Sequence, residues 1–192
     1  MEKLEVKDLI NVGVFGVLYF VIFYAVGMLQ VIPVFYAMSP LILSIVGGIP
    51  LMLFITRVDK FGMLSLMGII VSILLFVMGM SYLAVITGII FPIIGDYIMK
   101  LGDYKDFKKI ALGTGIFSLW CFGGFLPLWL FREETMAMYT TAMGSEYAQA
   151  VFALAPEWSL IVYMIAIIIG GIIGAYLGRA ILKKHFERAG IA

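Results

Sequence analysis

The chain has 192 residues, of which 64% are hydrophobic and 13% charged, with a formal net charge of +1. Soluble domains carry about a quarter of their residues as charges, so an ordinary soluble fold is excluded and an all-α integral membrane protein is predicted. Six apolar segments approach the roughly 20 residues that a helix needs to cross about 30 Å of hydrocarbon. They lie near 9–28, 41–56, 61–80, 82–99, 110–131 and 158–182, and together form one six-helix transmembrane domain.

The first segment follows Glu2 and Glu5 and is too long for the apolar core of a signal peptide, so it is expected to stay in the mature protein. It has Gly13 and Gly16 near one end. "LQVIPVFYAMSP", Leu29–Pro40, reads as a connection, after which the second segment is short, preceded by Pro40 and interrupted by Pro50. The basic link Arg57–Lys60 leads to the third segment, and Met80–Ser81 is barely a turn before the fourth.

Asp96, in the fourth segment, is the one acidic residue placed within a span, where such a group is costly. It stands four residues before Lys100, a spacing that suits an ion pair at the interface; the other reading is a proton or sodium site. "KLGDYKDFKK", Lys100–Lys109, mixes charges with Leu101, Tyr104 and Phe107 and reads as an amphipathic stretch, on the membrane surface or against a partner.

The fifth segment contains "LWCFGGFLPLW", Leu119–Trp129. Pro127 removes the helical hydrogen bond to the Gly123 carbonyl, and a freed carbonyl at membrane depth needs protein, water or ligand to satisfy it. Trp129 suits an interfacial anchor, whereas Trp120 needs a buried partner for its N–H. Two readings stay open: Trp120 as the floor of a ligand pocket beside Gly124, or Trp120 as core with another helix packed on Gly123 and Gly124. Cys121 is the only cysteine, so no intramolecular disulfide forms.

Residues 132–157 are too rich in Met, Tyr, Ala and Phe for a loose linker and read as an ordered, partly helical cap. Pro156 and Glu157 then signal the start of the sixth segment, with Trp158 at the interface. Gly170, Gly174 and Gly178 leave one stripe of that segment almost bare, which lets another backbone approach closely. The stripe packs on the first helix or docks another membrane subunit.

Topology follows from the basic residues. With six spans, twelve of the thirteen Lys and Arg fall on the side of both termini, and only Arg132 falls on the other. Both termini are expected in the cytoplasm, in the plasma membrane. The chain offers no nucleotide-binding loop, and His185, in the tail, is the only histidine. No metal, cofactor, nucleic-acid partner or enzymatic activity is expected. The outer half holds an excess of rings, as a pocket for a small, partly apolar ligand requires. Tyr36, Tyr82, Trp120, Gly124, Arg132, Tyr139, Trp158 and Tyr163 are the candidate binding residues. Arg132 would be the counter-charge for an anion, or would pair with Glu133 or Glu134.

These features resemble a known family. Six helices, the small residues within "NVGVFGVLYF" and the large loop between helices five and six are similar to the substrate-binding S component of energy-coupling factor (ECF) transporters. More narrowly, "LEVKDLINVGVFGVLYFVIF" and "GGIIGAYLGRAILKKHFERAGI" resemble the Trep_Strep group of bacterial membrane proteins. The resemblance implies an S-component-like bundle that captures a vitamin or other micronutrient from outside. It also implies association with a transmembrane T component and two cytoplasmic ATPases. A small-residue motif on the first helix docks the T component in that family; the nearest match here is Gly13-x-x-x-Val17, with Gly16 beside it, and Val17 departs from the motif. An autonomous small transporter or channel is the competing reading.

Overall fold

The computed structural model describes residues 4–58 and 60–188, with side chains as far as residue 184. The His185 side chain therefore lies outside the described residues. The first helix, α1 (Val6–Gly27), starts on a capping box in which Glu5 N–H donates to the Asp8 carboxylate at 2.8 Å. Lys60 Nζ lies 3.0 Å from Asp8 and 3.4 Å from Glu5, tying this start to the link after the second helix.

A 3-10 turn at Met28–Val31 joins α1 to α2 (Pro33–Ile55). The expected connection Leu29–Pro40 is thus mostly helix, and α2 runs through Pro40 instead of starting after it. Two local effects explain the difference. Pro33 stands in the first turn, where a missing N–H costs nothing. The Tyr36 carbonyl, which Pro40 leaves without its helical donor, accepts instead from the Ser39 hydroxyl at 2.7 Å.

Helix α3 (Met63–Val77) has 15 residues and spans about 23 Å at 1.5 Å per residue. It ends in a Schellman motif: Met80 N–H donates to Leu75 O and Gly79 N–H to Phe76 O, with Gly79 at φ +100°. Helix α4 (Leu83–Lys100) follows. The fifth segment is not one helix. It breaks into α5 (Phe107–Ser118), a 3-10 stretch at Leu119–Gly124, and the single turn α6 (Pro127–Leu130). The cap is two helices, α7 (Arg132–Met143) and α8 (Ser145–Leu154), which meet at Gly144 with φ +93°. The last helix is α9 (Ser159–Arg188).

Among the described residues there is no strand, and four helical stretches are long and apolar enough to cross a membrane: 6–31, 33–55, 83–100 and 159–184. Of the six expected spans, four are of this kind; α3 is shorter, and the fifth segment is interrupted.

The most extensive packing in the bundle is between α2 and α9. A Cβ on Gly174 would lie 2.5 Å from the Ile45 carbonyl oxygen, and one on Gly48 would lie 2.7 Å from the Gly174 backbone. Gly170 faces Ser44 and Leu41, and Gly178 faces Met52. The stripe Gly170, Gly174, Gly178 is therefore filled from within the chain, by α2 and not by the first helix, and is not open to another subunit. Gly171, one residue round the helix, meets Gly115 and Thr114 of α5.

Candidate functional site

One end of the bundle contains a cavity of about 750 Å³, within the range of small-molecule sites. The end of α1 and the turn after it supply Phe23, Tyr24, Gly27, Met28 and Gln30, and α2 supplies Tyr36. The corner between α3 and α4 contributes Leu75 and the run Met78–Ser81. Gly124, Phe125, Pro127, Leu128 and Phe131 come from the broken fifth segment, and the cap helix α7 adds Glu134, Thr135, Met138 and Tyr139.

The break in the fifth segment forms one wall. Gly123 and Gly124, adjacent in sequence, serve different ends. A side chain on Gly123 would overlap the Thr87 hydroxyl, the Leu83 carbonyl and the Ala84 backbone, so that glycine lets the 3-10 stretch press against α4. Thr87 seals the contact by donating to the Trp120 carbonyl at 2.6 Å. Gly124 instead faces the cavity and the Met80 thioether. No backbone N–H reaches the carbonyl of either glycine among the described residues, as the missing N–H of Pro127 predicts for Gly123.

Phenols fasten the cap over the cavity. The hydroxyls of Tyr36 and Tyr139 are 2.7 Å apart and share a hydrogen bond, while Tyr147 of α8 donates to the Gln30 carbonyl. Gln30 in turn donates through Nε2 to Ser39 Oγ at 3.0 Å. Desolvation raises the pKa of Tyr139, and desolvation followed by the neighbouring Tyr139 pushes Tyr147 up to about 12. Both phenols therefore stay protonated and able to donate near neutral pH.

The candidate binding residues divide on this geometry. Tyr36, Gly124 and Tyr139 line the cavity. Trp120 does not; it is fully buried one layer below, with its ring centroid 4.9 Å from that of Phe23 and its N–H donating to Tyr19 OH at 3.3 Å. Trp120 belongs to the core under the cavity. Arg132 is also off the cavity. Its guanidinium donates to the carbonyls of Leu128, Phe152 and Ala155 and lies 4.8 Å above the Phe152 ring, so it fastens the end of α8 to α6 and pairs with neither Glu133 nor Glu134. Tyr82 and Trp158 are exposed at the surface. Tyr163 packs edge-on against Trp129, whose N–H donates to the Pro156 carbonyl at 3.1 Å and so does not serve only as an interfacial anchor.

Sequence reasoning missed the corner Met78–Ser81, where two methionines flank a glycine at the shortest connection between the expected spans. It also missed Phe23, Met28 and Glu134. The signal for the corner was present: a turn too short to cover the end of the bundle leaves its own side chains as the lining.

Asp96 lies at the other end and is fully buried. Its Oδ2 accepts from Gly62 N–H, Ser65 N–H and Ser65 Oγ at 2.7–3.0 Å, and its Oδ1 accepts from Tyr104 OH at 2.6 Å. The expected pair with Lys100 is absent, since the Lys100 ammonium sits 5.1 Å from the Phe61 ring centroid. Asp96 instead caps the first turn of α3 from a neighbouring helix, where a negative charge suits the helix dipole.

On α1, Gly13 has no neighbour within 4 Å and Val17 is 59% exposed, beside exposed Ile10, Val14 and Val21. Gly16 faces inward, onto Met67. Among the described residues no group of three or more His, Cys, Asp or Glu could hold a metal ion.

A family model described as a hypothetical bacterial integral membrane protein, Trep_Strep, matches residues 6–188. No curated protein and no solved structure matches the chain.

Proposed function

We propose, for a chain that belongs to the Trep_Strep family of hypothetical bacterial integral membrane proteins, that it is the substrate-capturing S component of an ECF-type transporter. On this reading it takes up a vitamin-like or other small micronutrient at the outer face and delivers it inward with a T component and two ATPases. The observation that carries the reading is the cavity beside the cap. It lies at one end of the bundle beside the cap helix α7, is lined by rings and thioethers, and is separated from the buried carboxylate at the other end.

Two further features support it. Asp96 has its oxygens occupied by four donors, which supports a structural role for it over ion coupling and so an external source of energy. The apolar face of α1 around Gly13 and Val17 is open, as a docking surface for a T component requires. The proposed topology has six crossings, with α3 and the interrupted fifth segment as the short ones. Both termini are cytoplasmic by the charge rule, and the membrane is the plasma membrane.

Copurification tests the reading. A tagged chain should bring down a second membrane subunit and an ATPase pair. A chain that captures neither, yet moves its ligand alone in liposomes, is an autonomous transporter. Gly13→Leu should abolish uptake while leaving ligand binding in detergent intact, and unchanged uptake would remove α1 from the interface. Gly16 is the poorer probe because it faces Met67.

A further inference from the structure

Resting on the capture reading and deepening it, we infer that the molecule held in the cavity is an organic cation with an apolar or aromatic body. The lining contains one ionisable acid, Glu134, and no Lys, Arg or His. Glu134 makes no ion pair or side-chain hydrogen bond among the described residues. The nearest base in sequence, Arg132, is committed to three carbonyls and an aromatic face, so it neutralises nothing in the cavity.

The uncharged lining has the same preference. Six aromatic rings and four methionines surround the space. Ring faces attract cations and repel anions, and thioethers are soft and polarisable. Gly124 lines the cavity wall and its carbonyl has no backbone donor among the described residues, so it can serve as an acceptor for a ligand N–H. An anion entering this space would lose its water and meet a carboxylate and π faces without one cationic partner, a costly exchange. Around the cap, Glu133, Glu146 and Glu157 outnumber Arg132, and such a field raises the local concentration of cations.

The test uses the full chain in lipid nanodiscs and three probes of similar shape: benzyltrimethylammonium, benzyl alcohol and phenylacetate, each titrated by calorimetry at one ionic strength. Benzyltrimethylammonium should bind most tightly. Glu134→Gln should weaken it roughly three- to tenfold, as suits a partly exposed charge pair, and leave benzyl alcohol within about twofold. Gly124→Leu, which pushes a side chain into the space, should abolish the binding and so separates the cavity from partition into lipid. Tighter binding of phenylacetate, no binding of the cation, or a cation affinity unchanged by either substitution would overturn the inference. The two proposals fail separately. Copurified ATPases with a preference for the anion overturn only the charge assignment; a preference for the cation without partner subunits overturns only the capture reading.

Discussion

Asp96→Asn should destabilise the protein without touching the cavity, and its size can be worked from four hydrogen bonds. The carboxylate accepts two backbone N–H groups and one hydroxyl on Oδ2, and a phenol on Oδ1. An amide can keep its oxygen on the α3 terminus and turn its NH₂ towards Tyr104, whose hydroxyl can accept but then loses the acceptor for its own hydrogen. A buried donor left without an acceptor costs about 1–3 kcal/mol, and a neutral amide also gives up the charge that suits the helix dipole, about 0.3–1 kcal/mol. Together these give about 1–4 kcal/mol, or a fall in melting temperature of roughly 3–15 °C for a chain of this size. Tyr104→Phe removes only the Oδ1 bond and should cost about 1–2 kcal/mol. Melting followed by tryptophan emission in detergent, for both single variants and the double variant, isolates the coupling between the two groups. If Asp96→Asn melts within about 2 °C of the wild type while ligand uptake is lost, the carboxylate carries an ion and the capping argument is wrong.

Other substitutions probe separate parts of the fold. Gly174→Ala drives a Cβ to 2.5 Å from the Ile45 carbonyl and should lower stability by about 1–3 kcal/mol through overpacking. Gly13→Ala meets nothing within 4 Å and should leave the melting temperature unchanged or raised, by up to about 1 kcal/mol of helix propensity; equal losses at the two positions would refute the assignment of the stripe to α2. Gly79→Ala forces a side chain into a left-handed turn at φ +100°, and a thermal-shift measurement should register about 1–3 kcal/mol. Arg132→Ala should reduce stability by about 1–3 kcal/mol by stripping three carbonyls of a charged donor. Its effect on phenylacetate binding should be negligible, and a clear loss would restore the arginine to the ligand. With Trp129 and Trp158 replaced by Phe, emission from Trp120 should change little on saturation with ligand, because Phe23 lies between; strong quenching would put Trp120 in the cavity wall.

The ring-rich end, the ordered cap and the weak point of the fifth segment were legible in the sequence, because each is a local property of composition or of a proline. What each glycine does was not legible. Gly123 and Gly124 look alike in the sequence, yet one is filled by the α4 backbone and the other faces the flexible Met80 side chain at the cavity, a difference set by where Thr87 of α4 and Met80 of the α3–α4 corner fall. Pro40 misled for a similar reason, since the hydroxyl of Ser39 repairs the ladder that the proline breaks. For Arg132 and Asp96 the spacing offers a nearby opposite charge as one of two readings. Both are instead held by neutral backbone or hydroxyl groups from distant segments, contacts that no spacing rule in one helix announces.

The glycine seam between α2 and α9 has a consequence for biogenesis. Gly48 and Gly174 stand 126 positions apart in the chain, so the partner of α2 is translated last. Until α9 enters the bilayer, the bare face of α2 has only lipid against it, and no bulky side chain there can substitute for the missing neighbour. Ribosome-bound chains halted before Ser159 should therefore remain open to membrane proteases or chaperones, and closure should come in one late step as the final helix slots home.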